Sequence, residues 1–168
     1  MTLATLYDLY IDELRDLYNA ANQLLQALPK LAQAASSPKL AYAFIDHLTK
    51  TKTQIDRLEM IFLQLDASPS GKICKAMEGL LRKAQDFIAL DIDSSVLDSA
   101  LIGTAQRIEH YAMAGYGCVR TYAHLLGEDQ AADKLQQNLD EVVASDKELT
   151  RLAESIINSE ALSPSGIN

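Results

Sequence analysis

The side chains of this chain best suited to chemistry are carboxylates and imidazoles, and what they could do depends on which helix faces carry them. Glu109-His110 offers the oxygen and nitrogen donors that hold iron or manganese. Adjacent residues on a helix point about 100° apart, however, so these two would not share one ion. Asp8, Asp12, Glu13 and Asp16 cluster near the N-terminus. Asp46, Asp56 and Glu59 flank Gln54, and Asp140, Glu141 and Asp146 lie towards the C-terminus. For Glu109, Asp140 and Glu141 the plain expectation is a solvated helix face or an ion pair between helices. For His110 it is a half-buried, satisfied ring, and for the tyrosines packing with a wet hydroxyl. Cys74 and Cys118 show no CxxC spacing and no paired histidine, so they read as reduced, partly buried thiols in helical segments.

The elements that would position these groups are helices. Leu3, Leu6, Tyr10, Leu14, Leu17, Ala21, Leu24, Leu28 and Leu31 recur at three- and four-residue steps, which predicts a first helix over residues 2–35, capped at Thr2. Pro29 falls inside the stripe and should kink the last turns without ending them. Ser36-Ser37-Pro38 then makes a tight connection into a second helix over 38–65, whose inner face is Leu40, Phe44, His47/Leu48, Thr51, Ile55, Leu58 and Phe62. An amphipathic segment over 72–90 follows. A third long helix runs from a Ser94 cap to Leu126, closed by Gly127 in a left-handed conformation, and a fourth covers 129–159. Two long hairpins joined by a helical crossover make an all-α, ferritin-like antiparallel four-helix bundle with an extra crossover helix. Residues 1–162 form the single domain and 163–168 a flexible tail.

Composition supports that frame and removes some functions. The 168 residues are 48% hydrophobic, enough for a sizeable core. Fifteen basic against 23 acidic residues give a net charge of −8, which argues against binding nucleic acid or an anionic membrane. No apolar run approaches the roughly 20 residues needed to span a bilayer. The opening residues carry neither a basic n-region nor an apolar h-region, so the expected location is cytoplasmic.

Specific strings then become recognisable. Asp12-Glu13-Leu14-Arg15-Asp16-Leu17-Tyr18-Asn19-Ala20, Gln54-Ile55-Asp56-Arg57-Leu58-Glu59, Ala105-Gln106-Arg107-Ile108-Glu109-His110-Tyr111 and Ala144-Ser145-Asp146-Lys147-Glu148-Leu149-Thr150 resemble the YciF/YciE family of bacterial stress-associated ferritin-like proteins. The matching strings cover nearly the whole chain in order. The resemblance implies a four-helix ferritin-like bundle that forms a homodimer, with no established enzymatic reaction.

The same resemblance marks four places where this chain departs from the family pattern. Glutamates are expected at positions that here read Ala21, Lys50, Ala112 and Val142. Small apolar replacements are what a core without metal requires, because lone buried carboxylates would be costly. The resulting expectation is a degenerate dinuclear site with no metal at those four positions and no cofactor. Gln54, Lys50 and Asp146 would be polar remnants, with Lys50 paired to Asp146 or Glu141. The alternative is an iron- or manganese-binding oxidoreductase or storage protein with a relocated site built from Gln54, Glu109, His110, Glu141 and Asp146.

Overall fold

The computed structural model of the protein describes residues 3–162, all of whose regular elements are helical. Helix α1 (Leu6–Ala34) opens on a capping box. The Thr5 hydroxyl accepts from the Asp8 N–H and the Asp8 carboxylate accepts from the Thr5 N–H, so two orphan donors are satisfied at once. That box sets the start of α1; Thr2, the expected cap, lies outside the described residues, as does the 163–168 tail. Pro29 sits within α1, which continues to Ala34 as its apolar stripe predicts.

Helix α2 (Pro38–Gln64) starts with proline in its first turn. Helix α3 (Lys75–Ile88) is shorter than the expected 72–90: the Cys74 sulfur is its N-cap and accepts from the Met77 N–H at 3.4 Å. Both cysteines are free thiols as expected, but Cys74 precedes its helix and is fully buried, whereas Cys118 is helical and exposed, so neither is partly buried. Helix α4 (Ser94–Leu125) is capped by Asp93, whose carboxylate accepts from the Ser95 N–H, rather than by Ser94 itself. Gly127 follows with φ +78°, the left-handed residue expected there. Helix α5 (Asp129–Leu152) runs through a π-helical turn (Ala153–Ile157) into the short α6 (Asn158–Leu162), where one continuous helix was expected.

Antiparallel neighbours surround the bundle axis. α1 pairs with α2 and α4 with α5 as hairpins; α2 then packs on α5 and α1 on α4. This arrangement explains the crossover. α2 finishes at the end where α1 begins, yet α4 must start at the opposite end to run against α1, so the chain has to travel back along the bundle. α3, 14 residues or about 21 Å at 1.5 Å per residue, makes that journey against α1 and α4. At Gly115, α4 passes so close to α1 that an added Cβ would lie 2.6 Å from Leu17 Cδ2.

The hydrophobic core falls into two clusters rather than one. One holds Leu24, Leu28, Leu40, Phe44, Met77, Ile102 and Ile108. The other holds Tyr10, Leu14, Leu58, Phe62, Tyr116, Val119 and Leu135. Buried polar side chains occur around their junction: His47, Thr51 and Gln54 from α2, Glu109 from α4, and Asn138 and Ser145 from α5. At roughly 25 cal/mol per Å² the apolar clusters drive association of the helices. The polar layer between them is where a ferritin-like bundle would place its chemistry.

Candidate functional site

Three- and four-residue spacing on α2 carries His47, Thr51, Gln54 and Leu58 along one inward stripe, while α4 brings Glu109, Ala112 and Tyr116 to face it. A small cavity of about 20 Å³ sits here, lined by His47, Thr51, Gln54 and Glu109 together with Ala21, Ala112 and Val142. Three of the four positions singled out from the sequence thus meet at one place. Lys50, the fourth, turns outward. Its ammonium lies 2.6 Å from Asp46, its own-helix neighbour, with both side chains about a third exposed. The expected pairing of Lys50 with Asp146 or Glu141 does not form, because i,i+4 geometry puts Asp46 within easier reach.

The pair at the centre is His47 and Glu109. Glu109 is 1% exposed, so it lies on no solvated face; of the two expectations for it, the pairing between helices is the one the fold approaches, with His47 of α2 as its neighbour. His47 Nδ1 approaches Glu109 Oε1 to 3.1 Å, but Oε1 receives no well-aligned hydrogen bond among the described residues, so the contact is a close approach of two buried groups. Loss of solvent pushes Glu109 up to about 8; the charge of Asp146 adds to the effect and that of Lys50 opposes it. The same desolvation pulls His47 down to about 4, with Lys50 contributing and Asp46 opposing. Near neutral pH the two groups together hold one ionisable proton and no net charge, which is the inexpensive state for a buried site.

The residues of the proposed relocated site do not converge. Gln54 Nε2 donates to Glu141 Oε2 at 3.2 Å. Glu141 is in turn held by Arg57 at 2.7 Å, whose other nitrogen donates to Asn138 Oδ1 at 2.8 Å. These bonds staple α2 to α5 and engage both Glu141 oxygens. Asp146 faces the α4 side, where Gln106 donates to it at 3.3 Å and His110 lies 3.5 Å away. The His110 side chain is 68% exposed, not half-buried, since it follows the inward Glu109 by one position. Among the described residues no group of three or more His, Cys, Asp or Glu side chains could hold a metal ion.

Measured against a dinuclear centre, the donor set is too small. Such bundles supply a glutamate from each of two helices and Glu-x-x-His from each of the others. Here α1 and α5 present Ala21 and Val142, and the layer as a whole offers one imidazole and one carboxylate. A cavity of about 20 Å³ has room for roughly one water. Two divalent ions with their ligands do not fit these residues.

Other buried polar groups had no role assigned from the sequence. His47 was visible as a polar residue on an apolar stripe, but its partner, 62 positions away on a diagonal helix, was not. Beside the layer, Tyr111 donates to Asp16 and lies 3.0 Å from Cys74 Sγ, and the Lys72 ammonium bonds Asp12. These contacts fasten the start of α3 to α1 and α4. Burial raises the Cys74 thiol above its ordinary value, so it stays protonated and packs as a small apolar group. Tyr10 is fully buried and its hydroxyl has no hydrogen-bond partner among the described residues, contrary to the wet hydroxyl expected.

Comparison with known proteins places this geometry. Residues 5–162 match the family model described as a domain of unknown function, DUF892. Protein YciF of Escherichia coli (strain K12) is 41% identical over 165 residues, covering 96% of this chain and 98% of that one. The crystal structure of the E. coli stress protein YciF superposes with a TM-score of 0.89 at 40% identity, over 93% of this chain and 99% of that chain. YcfI of Rhodopseudomonas palustris does so with a TM-score of 0.84 at 38% identity, over 87% and 93% of the two chains. No helix among the described residues is long and apolar enough to cross a membrane.

Proposed function

The chain belongs to the DUF892 family, and from that premise we propose that it is a non-catalytic, stress-associated helical scaffold. In this reading its bundle centre has exchanged a dinuclear metal site for a neutral polar layer. The observation that carries the proposal is the composition of that layer: His47 and Glu109 in contact at 3.1 Å, with Ala21, Ala112 and Val142 around them. Two divalent cations bring four positive charges into a dry site and need several carboxylates to balance them. Glu109 is the one buried glutamate among the described residues, and Glu141 is already matched by Arg57. A protein that does no metal chemistry gains from replacing the remaining ligands with small apolar groups, because each unpaired carboxylate would otherwise be a buried cost.

Association with stress follows the printed name of the E. coli relative, and we extend it to this chain as part of the proposal, together with a homodimeric state and a cytoplasmic location. Iron or manganese chemistry at a relocated site finds no supporting cluster among the described residues. Ferrous iron added to the protein without oxygen, then exposed to air, tests the reading. The expected rate of iron oxidation equals that of buffer. Accelerated oxidation that disappears in Glu109→Gln would overturn it.

A further inference from the structure

Away from the bundle centre, α1 and α3 run side by side and leave an open groove of about 390 Å³ on their outer side. Its floor is Ala27 and Leu31 from α1 and Leu81 and Ile88 from α3. The hollow exists because α1 presents alanine at 27 and 34 along this side, where a larger side chain would fill the space. Beyond it, a second groove of about 330 Å³ is polar, with Gln23, Gln26, Glu78 and Arg82 on its walls. Lys30 lines both, so a single ammonium stands at the junction between the apolar floor and the polar extension.

We propose that this groove binds a small amphiphilic anion, an aliphatic carboxylate whose chain lies on the apolar floor and whose head group meets Lys30. The volume lies within the range of roughly 300–1,000 Å³ typical of ligand sites. The distance along α1 from Ala27 to Ala34 is about 10 Å, enough for a medium-length chain. Charge selects the head group. Lys30 makes no ion pair among the described residues, a state it shares with Lys39, Lys52 and Lys83, none of which lines either groove, whereas Arg82 on the polar wall is paired with Glu78. Glu78, the acidic wall residue, is engaged by Lys75 at 2.8 Å and Arg82 at 3.3 Å, which offsets its charge locally.

Charge also selects the size of the occupant. An acidic helix from a partner protein would meet the whole net charge of −8. A small anion responds mainly to the field within about 10 Å, the screening length at 0.1 M salt, and the charged lining there is Lys30 together with the mutually paired Glu78 and Arg82. An uncharged hydrocarbon would gain nothing from Lys30, and an inorganic anion nothing from Leu31, Leu81 and Ile88. This site is independent of the reading of the bundle centre: it stands whether or not metal binds there.

The test is calorimetric titration of the full chain with decanoate below its aggregation concentration, with decanol as the uncharged control. Lys30→Glu reverses the selecting charge, and Ala89→Trp fills the groove from an exposed position at the end of α3. Circular dichroism melts establish that both variants fold. The expected result is saturable binding of decanoate, at least tenfold weaker binding of decanol, and at least tenfold weaker decanoate binding in each variant. Absence of decanoate binding, or equal binding by the parent and both variants, would overturn the proposal. So would sedimentation showing that the variants dissociate a dimer that decanoate leaves intact, since the groove would then be covered by a second copy.

Discussion

Helix α4 buries two carboxylates, and they are treated in opposite ways. Asp98 is 2% exposed and accepts from the Ser36 N–H, the Ser36 hydroxyl and the Ser37 N–H at 2.7–2.8 Å. It thereby ties the start of the second hairpin to the turn of the first. Glu109, three turns further along, is 1% exposed with an oxygen that no donor satisfies and an imidazole at 3.1 Å. A buried carboxylate with a full set of donors is a fastening. One without them is under pressure to stay protonated, and in a ferritin-like bundle it occupies the layer where cations would otherwise compensate it. The pair teaches that burial alone does not mark a functional acid; the state of its hydrogen bonds does.

The largest break in that comparison should come from Asp98→Ala. It leaves two backbone N–H groups at the α1–α2 turn without their acceptor, and hydrogen bonds to a charged group contribute more than neutral ones. A loss of about 3 kcal/mol in urea unfolding is expected. A change under about 1 kcal/mol would mean that water replaces the carboxylate freely and that Asp98 is no fastening.

The pH dependence of stability sharpens the other half. Glu109 holds its proton in the folded state up to about pH 8 but in the unfolded chain only to about 4.5, so between those values the folded state binds more protons and stability falls as pH rises. His47 does the reverse: unfolded, it protonates below 6.5, whereas folded it resists to about 4, so stability rises with pH between those limits. The two slopes cancel between about pH 4.5 and 6.5, and above 6.5 only the fall remains. From this pair, stability should drop by about 2 kcal/mol between pH 6.5 and 8. Glu109→Gln should remove that drop, because its amide does not titrate. Parallel pH profiles for the parent and the variant would contradict the assignment. The smallest effect belongs to Lys50, whose partly exposed pair with Asp46 should contribute under about 0.5 kcal/mol, so Lys50→Ala should melt almost unchanged.

The helices were legible because their signals are local. Pro38 after Ser37, the leucine stripe through Leu14, Leu24 and Leu28, and Gly127 each act through neighbours a few residues away. The crossover was legible too, since a segment of helical periodicity between two hairpins has few alternatives. Ala21, Ala112 and Val142 could be placed at one layer through a resemblance to a known family, and they do line one cavity. What could not be read was partnership across the bundle. Nothing local distinguishes Glu109 from Glu141, yet one faces the centre and the other is held by Arg57 on α2. Lys50 faced outward because its own helix offered Asp46 a turn away, a competition that spacing alone does not decide. Asp98 went unnoticed for the same reason, as its donors are more than 60 positions distant.

The account rests on the claim that the centre of this bundle carries a proton where others carry cations. The direct measurement is the iron and manganese content of the chain, expressed in medium supplemented with both metals and purified without chelators. Well under one equivalent per chain is the predicted result, with a melting temperature unaffected by EDTA. Two equivalents of either metal per chain would contradict it.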